Sequence, residues 1–463
     1  MSLVLVLWSL VLVAGLLLAV SMVARVNREQ RSPAGTMAWL LLIVFLPYVG
    51  VPLYLVIGGR KMRRLAGRKA HLRPEPHEGR LLADLPQMDR VFRHLELPGV
   101  TTGNKVKLSR TGQEMFGDLV GLIEQAEKTI HLTTYKLGWD EVGREIVRRL
   151  AARAAQGVQV RLNLDGIGSR WLPRRLLRPL TEAGGKVAFF MPVLRLPFQT
   201  RTHLRNHRKM VVVDDRLVMA GGANLAREYL GPVPDPARWR DLCFVLEGPA
   251  VQDYAALFRA DWAFASGEVL EPAPALETDA AGDAAGAMVQ VIPSGPDVPG
   301  DYLYDALVYS IFAARERLWL ATPYFIPDET LLKALRIAAL RGMDVLLVVP
   351  QRSNYWIADV AGRQALREIQ RAGGRVLLYP AGMMHAKVMI VDDFMAVIGS
   401  ANLDMRSLFF NYEVVMFMYS RPEIQATEEW LTSLHVVPRT LEEEISELRH
   451  FGEGLVRMAA PLL

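Results

Sequence analysis

At 463 residues the chain has room for about three domains, and 51% of it is hydrophobic. Its net charge of +5 suits an anionic membrane surface and does not by itself exclude nucleic acid. The single cysteine, Cys243, excludes an intramolecular disulfide and agrees with a reducing compartment.

Residues 3–24 form an almost unbroken apolar run, and residues 36–58 form a second. Each approaches the ~20 residues of a bilayer-spanning helix. A cleaved signal peptide fits the first run poorly, because no basic residue precedes it and a second apolar run follows soon after. Two transmembrane helices are therefore expected within residues 1–59. The rival is a membrane-embedded hairpin that does not fully cross, since Pro47 and Pro52 would kink the second helix. The loop between the runs carries Arg25, Arg28 and Arg31. The denser cluster Arg60, Lys61, Arg63, Arg64, Arg68 and Lys69 follows the second run, which assigns the soluble bulk to the cytoplasm.

Residues 60–105 read as a basic connector with some helix near 81–95. From 106 the pattern is α/β, with a strand at 129–137, a helix at 141–156 and a strand at 158–164. Residues 268–288, rich in Ala, Pro and acid, read as a linker. The same order then returns: strand 318–326, helix 330–341, strand 345–349, helix 363–372, strand 385–391 and a partner strand at 396–398. Residues 106–267 and 289–463 are thus expected to be two similar α/β halves, packed face to face as a pseudo-dimer.

One nine-position pattern occurs in each half. It runs from Asn206 through His207, Arg208 and Lys209 to Asp214, and again from Met384 through His385, Ala386 and Lys387 to Asp392. Each copy leads into a glycine turn and an amide, Gly221-Gly222-Ala223-Asn224 and Gly399-Ser400-Ala401-Asn402. In a strand, His and Lys two positions apart share a face. Asp214 and Asp392 have the opposite parity and lie up to about 23 Å along the strand from their histidines, so they are expected to shape the turn. An acid-base or nucleophilic imidazole needs an acceptor on its other nitrogen. Asp241 and Glu413, each opening the apolar strand that follows its glycine turn, are the candidates. Their strand was expected to lie beside the motif strand.

Two histidines, two lysines and the amides of Asn224 and Asn402, with the Ser400 hydroxyl, would form a site for an anionic phosphate. One histidine would attack phosphorus, and the other would handle the leaving and entering protons. No metal or other cofactor is called for, since His203 and His207 lack a third ligand of suitable spacing.

Taken together, the twin His-x-Lys-(x)4-Asp motifs resemble those of the phospholipase D superfamily and, within it, the bacterial cardiolipin synthases. Arg205-Asn206-His207-Arg208-Lys209, Trp239-Arg240-Asp241, residues 321–328 and residues 399–407 carry the finer likeness. The resemblance extends over nearly the whole chain. It implies a catalytic set of His207, Lys209, Asp214, His385, Lys387 and Asp392, with His207 as nucleophile and His385 as acid and base. It implies phosphatidyl transfer from one phosphatidylglycerol to another, yielding cardiolipin and glycerol, at a bacterial inner membrane. Residues 133–139 depart from the acidic and aromatic pattern common in these synthases, which bears on the acceptor alcohol.

Two stretches are candidates for lipid contact. Residues 170–179 mix cations with Trp and Leu, and residues 191–198 form an apolar run between prolines. A nuclease would use the same phosphodiester chemistry, but the apolar N-terminal runs argue for lipid and against nucleic acid. A hydrolase differs from a transferase only in what enters the second step. A homo-oligomer is compatible with the sequence.

Overall fold

The computed structural model describes parts of residues 13–22, then 33–57, 98–192, 204–271, 286–298, 300–440 and 446–458. Its strand order displays the repeat. From the outer edge of the N-terminal half, the sheet runs β4 (Lys186–Phe190), β3 (Gln159–Asp165), β2 (Thr129–Thr134), β5 (Met210–Val213), β6 (Leu217–Gly221), β7 (Cys243–Glu247) and β1 (Thr101–Ser109). It continues without interruption into β8 (Ala287–Ser294), β16 (Glu413–Met418), β14 (Met395–Gly399), β13 (Val388–Val391), β9 (Arg317–Ala321), β11 (Asp344–Pro350), β12 (Arg375–Tyr379) and the short β17 (Val437–Pro438). Apart from β17, the two series mirror each other strand for strand about the β1–β8 junction. A separate parallel pair joins β10 (Phe325–Ile326) to β15 (Leu403–Asp404). β1 straddles the expected boundary at residues 105 and 106, and its pairing with both β7 and β8 stitches the halves together.

β2, β3 and β4 are parallel, as are β9, β11 and β12. Crossover helices cover them: α4 (Glu141–Ala155) and α5 (Arg174–Glu182) in the first half, α8 (Glu329–Leu340) and α9 (Trp356–Arg371) in the second. Asp140 caps α4 by accepting from Gly143 N (2.9 Å), and Asp328 caps α8 by accepting from Leu331 N (3.1 Å).

The motif strands are apolar on both faces. Val211 and Val213 pack under α3 (Gly112–Gln125) and α4, whereas Met210 and Val212 join Val388 and Ile390 of the other half in a core shared by both sheets. The halves are therefore face to face, as the repeat suggested, and also continuous edge to edge. α6 (Val251–Ser266) and α11 (Arg421–Thr432) complete that shared core. The segment from 272 to 285 lies outside the described residues, but the start of the expected linker is held. Glu268 accepts from Arg161 (3.1 Å), Lys186 (2.9 Å) and the Trp262 indole (2.9 Å).

Only part of the N-terminal segment lies within the described residues. Among the described residues, no helix is long and apolar enough to cross a membrane. The run at 36–58 is two helices, α1 (Pro33–Phe45) and α2 (Pro47–Ile57), broken at Leu46 ahead of Pro47. Gly50 permits the fold-back: a Cβ there would meet the Leu42 carbonyl oxygen at 2.6 Å. The two helices close with Trp39 edge-on to Tyr54, ring centroids 5.3 Å apart. Most of the run at 3–24 and the connector up to residue 97 lie outside the described residues, as does the candidate lipid stretch beyond Pro192.

Asp214 and Asp392 sit where the parity argument put them, in the turns after the motif strands, with φ of 54° and 46°. Each carboxylate gathers three successive backbone N–H groups at the start of a neighbouring strand. Asp214 accepts from Glu127, Lys128 and Thr129 (2.8, 2.7 and 2.7 Å), and Asp392 from Arg315, Glu316 and Arg317 (2.8, 2.9 and 2.8 Å). These contacts pin β5 to β2 and β13 to β9, and they leave neither carboxylate on a histidine. Asp214→Ala and Asp392→Ala should each lower stability by about 1–3 kcal/mol, read as a drop in the thermal midpoint. Activity of the folded fraction at low temperature should stay within about tenfold of wild type. A fully stable variant without activity would return these residues to the chemistry.

Candidate active site

Two isolated bridges create the site. Asn206 pairs in parallel with Tyr412, and Met384 pairs in parallel with Arg240. Each bridge joins the segment entering one half's motif strand to the segment entering the other half's acid strand. His207 N donates to the Tyr412 carbonyl (2.9 Å), and His385 N donates to the Arg240 carbonyl (2.7 Å). One position further along each bridge, histidine meets acid. His207 Nδ1 lies 2.9 and 3.0 Å from the two oxygens of Glu413, and His385 Nδ1 lies 2.7 Å from Asp241 Oδ2.

The acids proposed from sequence thus sit on histidines, but across the halves. Within a half, β6 or β14 separates the acid's strand from the motif strand, so the expected direct adjacency does not occur. A carboxylate only accepts, so in each pair Nδ1 carries the proton and Nε2 keeps its lone pair for the substrate.

Both lysines return to their own motif. Lys209 Nζ donates to the His207 carbonyl (2.6 Å). Lys387 Nζ contacts the His385 carbonyl and lies over the edge of the His385 ring, 2.7 Å from Nδ1 and 3.3 Å from Nε2, so it shares the Nδ1 side with Asp241. The aromatic walls differ between the half-sites. Tyr135 stands edge-on to His207 at 5.2 Å; Tyr229 and Trp239 stand 5.1 and 5.6 Å from His385.

Burial dominates the ionisation of the site. It pulls His207 down to about 4, with Glu413 opposing and Lys209 assisting, and pulls His385 down to about 3. Burial also brings Lys209 to about 7 and Lys387 to about 8, in each case against the pull of Glu413 and Asp241. It pushes both acids up, but their partners win: His207 and Lys209 hold Glu413 below its usual range, and Lys387 and His385 do the same for Asp241. Lys387 bears on His207, and Lys209 bears on His385, so the two clusters share one field.

Ser400, expected in the phosphate set, is bonded to the acid partner of His207. It is fully buried, its hydroxyl donates to Glu413 Oε2 (2.5 Å), and it accepts from Val414 N (3.0 Å). Its counterpart is Gly222, where a Cβ would stand 2.1 Å from Asp241 Oδ1. Asn224 is buried, and its carbonyl oxygen accepts from Lys136 N (3.2 Å) while its side chain also bonds Tyr229. Asn402 is buried beside Asp404, to which it is hydrogen-bonded. Each amide thus has a protein partner, while Asn402 Oδ1 has none among the described residues.

Sequence reasoning missed the support beneath Glu413. Arg208 shares parity with Met210 and Val212 and points into the shared core. There it donates to the Glu413 carbonyl (3.1 Å), Asp261 (2.7 Å) and the Ser294 carbonyl (3.3 Å). Asn411 Nδ2 donates to Glu413 Oε1 (3.2 Å). Parity could have marked Arg208 as inward-facing; its partners, 53 and 205 positions away, leave no local signal. Among the described residues, no cluster of three or more His, Cys, Asp or Glu is placed to hold a metal ion.

Comparison with known proteins follows this geometry. Residues 119–262 and 307–435 match the family model described as "Cardiolipin synthase, PLD-like domain", and residues 4–59 match "Phospholipase_D-nuclease N-terminal". Cardiolipin synthase 1 of Bacillus cereus is 32% identical, covering 94% of this chain and 90% of that protein. The cardiolipin synthase of Halalkalibacterium halodurans is 35% identical, covering 84% and 80%. The crystal structure of phosphatidylserine synthase from Haemophilus influenzae superposes with a TM-score of 0.58 at 16% identity, covering 81% of this chain and 98% of that one, which is a likeness of fold. The chain is an enzyme of the cardiolipin synthase family, built on the two-half phospholipase D-like α/β fold.

Proposed function

We propose that the enzyme moves a phosphatidyl group between two phosphatidylglycerol molecules, giving cardiolipin and glycerol, on the cytoplasmic face of a bacterial inner membrane. The observation that carries this is the crossed pairing, which makes one composite site from two motifs in a chain of this family. In the first step His207 Nε2 attacks phosphorus and the P–O bond to glycerol breaks. His385 donates its proton to the departing oxygen, leaving phosphatidyl on His207. In the second step neutral His385 takes the proton of a hydroxyl on the second phosphatidylglycerol. That oxygen attacks phosphorus, the P–N bond breaks and His207 is restored.

Lys209 and Lys387 offset the charge on the phosphate oxygens. Burial holds His385 neutral at ordinary pH. A bound phosphodiester anion opposes the cost of burying a cation and raises the proton affinity of the histidine that must act as acid. The apolar N-terminal segment would keep the site beside its lipid.

The test is product analysis with labelled phosphatidylglycerol. Cardiolipin and glycerol in equal amounts are expected. Phosphatidic acid with no cardiolipin would replace transfer by hydrolysis, and label passing to another added alcohol in preference would change the acceptor.

A pH dependence follows from the lysines. As pH rises through about 7 and then about 8, Lys209 and then Lys387 lose the charge that holds phosphate. The second-order constant kcat/KM, which reports the free enzyme, should therefore fall on the alkaline side. The nucleophile His207 stays neutral down to about 4, which keeps the acid limb below the neutral range, while the proton that His385 must carry into the first step is also lost as pH rises and adds to the alkaline fall. A flat profile between about pH 6 and pH 9 would contradict the assignment.

A further inference from the structure

β3 and β11 occupy equivalent places in the two halves, and the segment after each bears an exposed tryptophan, Trp171 in the turn after β3 and Trp356 at the first residue of α9, where the loop after β11 ends. Trp171 follows β3 at 81% exposure, and Trp356 follows β11 at 67%, next to Tyr355 at 41%. Side chains of this size rarely stand free in water unless something covers them.

Both loops are tied to aromatic residues near the reacting groups. Ser169 Oγ donates to the carbonyl of Tyr135, the residue edge-on to His207. The Tyr324 hydroxyl donates to Asn354 Oδ1 at 2.6 Å. β3 runs parallel to β2, which is antiparallel to the motif strand β5, and β11 runs parallel to β9, which is antiparallel to β13, so both segments leave the sheet at the edge where the motif histidines enter it.

The surrounding chemistry is cationic. Arg170 lies over the Trp171 ring at 5.0 Å, and Arg175 lies over Trp139, itself 56% exposed, at 5.3 Å. Residues 166–178 contain no acid; residues 351–358 carry Arg352, and the adjacent Asp359 is turned onto the Ser353 backbone N–H (3.0 Å). Tryptophan beside guanidinium suits the headgroup layer of an anionic bilayer, where the indole enters the interface and the cation meets phosphate.

We infer that the Trp171 and Trp356 loops form a two-point anchor that seats the mouth of the site on an anionic lipid surface. The inference rests on the proposed lipid substrate and adds where the catalytic halves touch the membrane. It assigns part of the basic stretch at 170–179 to that contact and brings in a second loop that the sequence did not single out.

The experiment uses the full chain reconstituted in phosphatidylcholine vesicles with or without phosphatidylglycerol. Trp171→Cys, Trp356→Cys and Lys128→Cys each receive an environment-sensitive fluorophore, the native Cys243 being buried. Lys128 is exposed at the opposite end of β2 from Tyr135. Lipid-borne nitroxide should quench the labels at 171 and 356 at least about twofold more than the label at 128, and more strongly with phosphatidylglycerol present. Equal quenching at 128 and at either tryptophan position would overturn the two-point anchor. So would labels that respond to a single-stranded oligonucleotide and ignore vesicles.

A second measurement guards against misfolding. Trp171→Ala with Trp356→Ala should slow turnover of vesicle-borne phosphatidylglycerol by roughly tenfold and leave turnover of monomeric short-chain phosphatidylglycerol within about twofold. Equal losses on both would assign the tryptophans to the fold. Quenching without cardiolipin formation would sink the proposed reaction and keep the anchor; cardiolipin formation without quenching would do the reverse.

Discussion

His207→Ala is expected to lower phosphatidyl transfer by about 10⁴-fold or more, because in the proposed reaction the phosphatidyl group passes through His207 Nε2. His385→Ala should lose nearly as much with phosphatidylglycerol, whose glycerol leaves as a poor alkoxide unless protonated. The two losses differ in kind. A lipid phosphodiester with a p-nitrophenol leaving group needs no proton for departure, so the first half-reaction of His385→Ala should recover by roughly 10²-fold, whereas that of His207→Ala should not. The measurement is the burst of nitrophenol in a rapid-mixing experiment. Recovery in both variants, or in His207→Ala alone, would reverse the roles.

The second large effect belongs to the acids. Glu413→Gln and Asp241→Asn should each cost on the order of 10²–10⁴-fold in kcat, since an amide can present N–H to Nδ1 and stabilise the wrong tautomer. The crossed geometry makes a further demand. Glu413 sits on His207, so Glu413→Gln should behave as a nucleophile variant and gain nothing from the better leaving group. Asp241 sits on His385, so Asp241→Asn should be the variant that recovers. Pairing within each half would predict the opposite. Both carboxylates are buried, so circular dichroism and thermal midpoint must accompany the rates. Near-normal turnover in either stable variant would remove the orienting role.

The His-x-Lys pairs were legible because a strand's two-residue period is a local property. The orienting candidates were legible because the repeat placed Asp241 and Glu413 at equivalent points in apolar strands. Their crossing was not, since it depends on contacts between residues 206 and 144 positions apart. Ser400 was read beside Asn402 as part of one polar turn, yet its hydroxyl turns back onto Glu413. Hydropathy described the run at 36–58 well but not its fold, because a composition window registers apolarity and not the break at Leu46. The joining strands β1 and β8 carry no motif, so nothing local marked them as the seam that brings the half-sites together.

The central claim is that one phosphorus passes through His207 in a site completed by the other half. The most direct measurement is acid-free rapid quenching of enzyme mixed with phosphatidylglycerol labelled in its phosphate, followed by peptide mapping. The account predicts an acid-labile, base-stable label on the peptide containing His207. That label should be present in His385→Ala with the activated substrate and greatly reduced in Glu413→Gln. Label on the His385 peptide, or turnover with no label on any histidine, would contradict it.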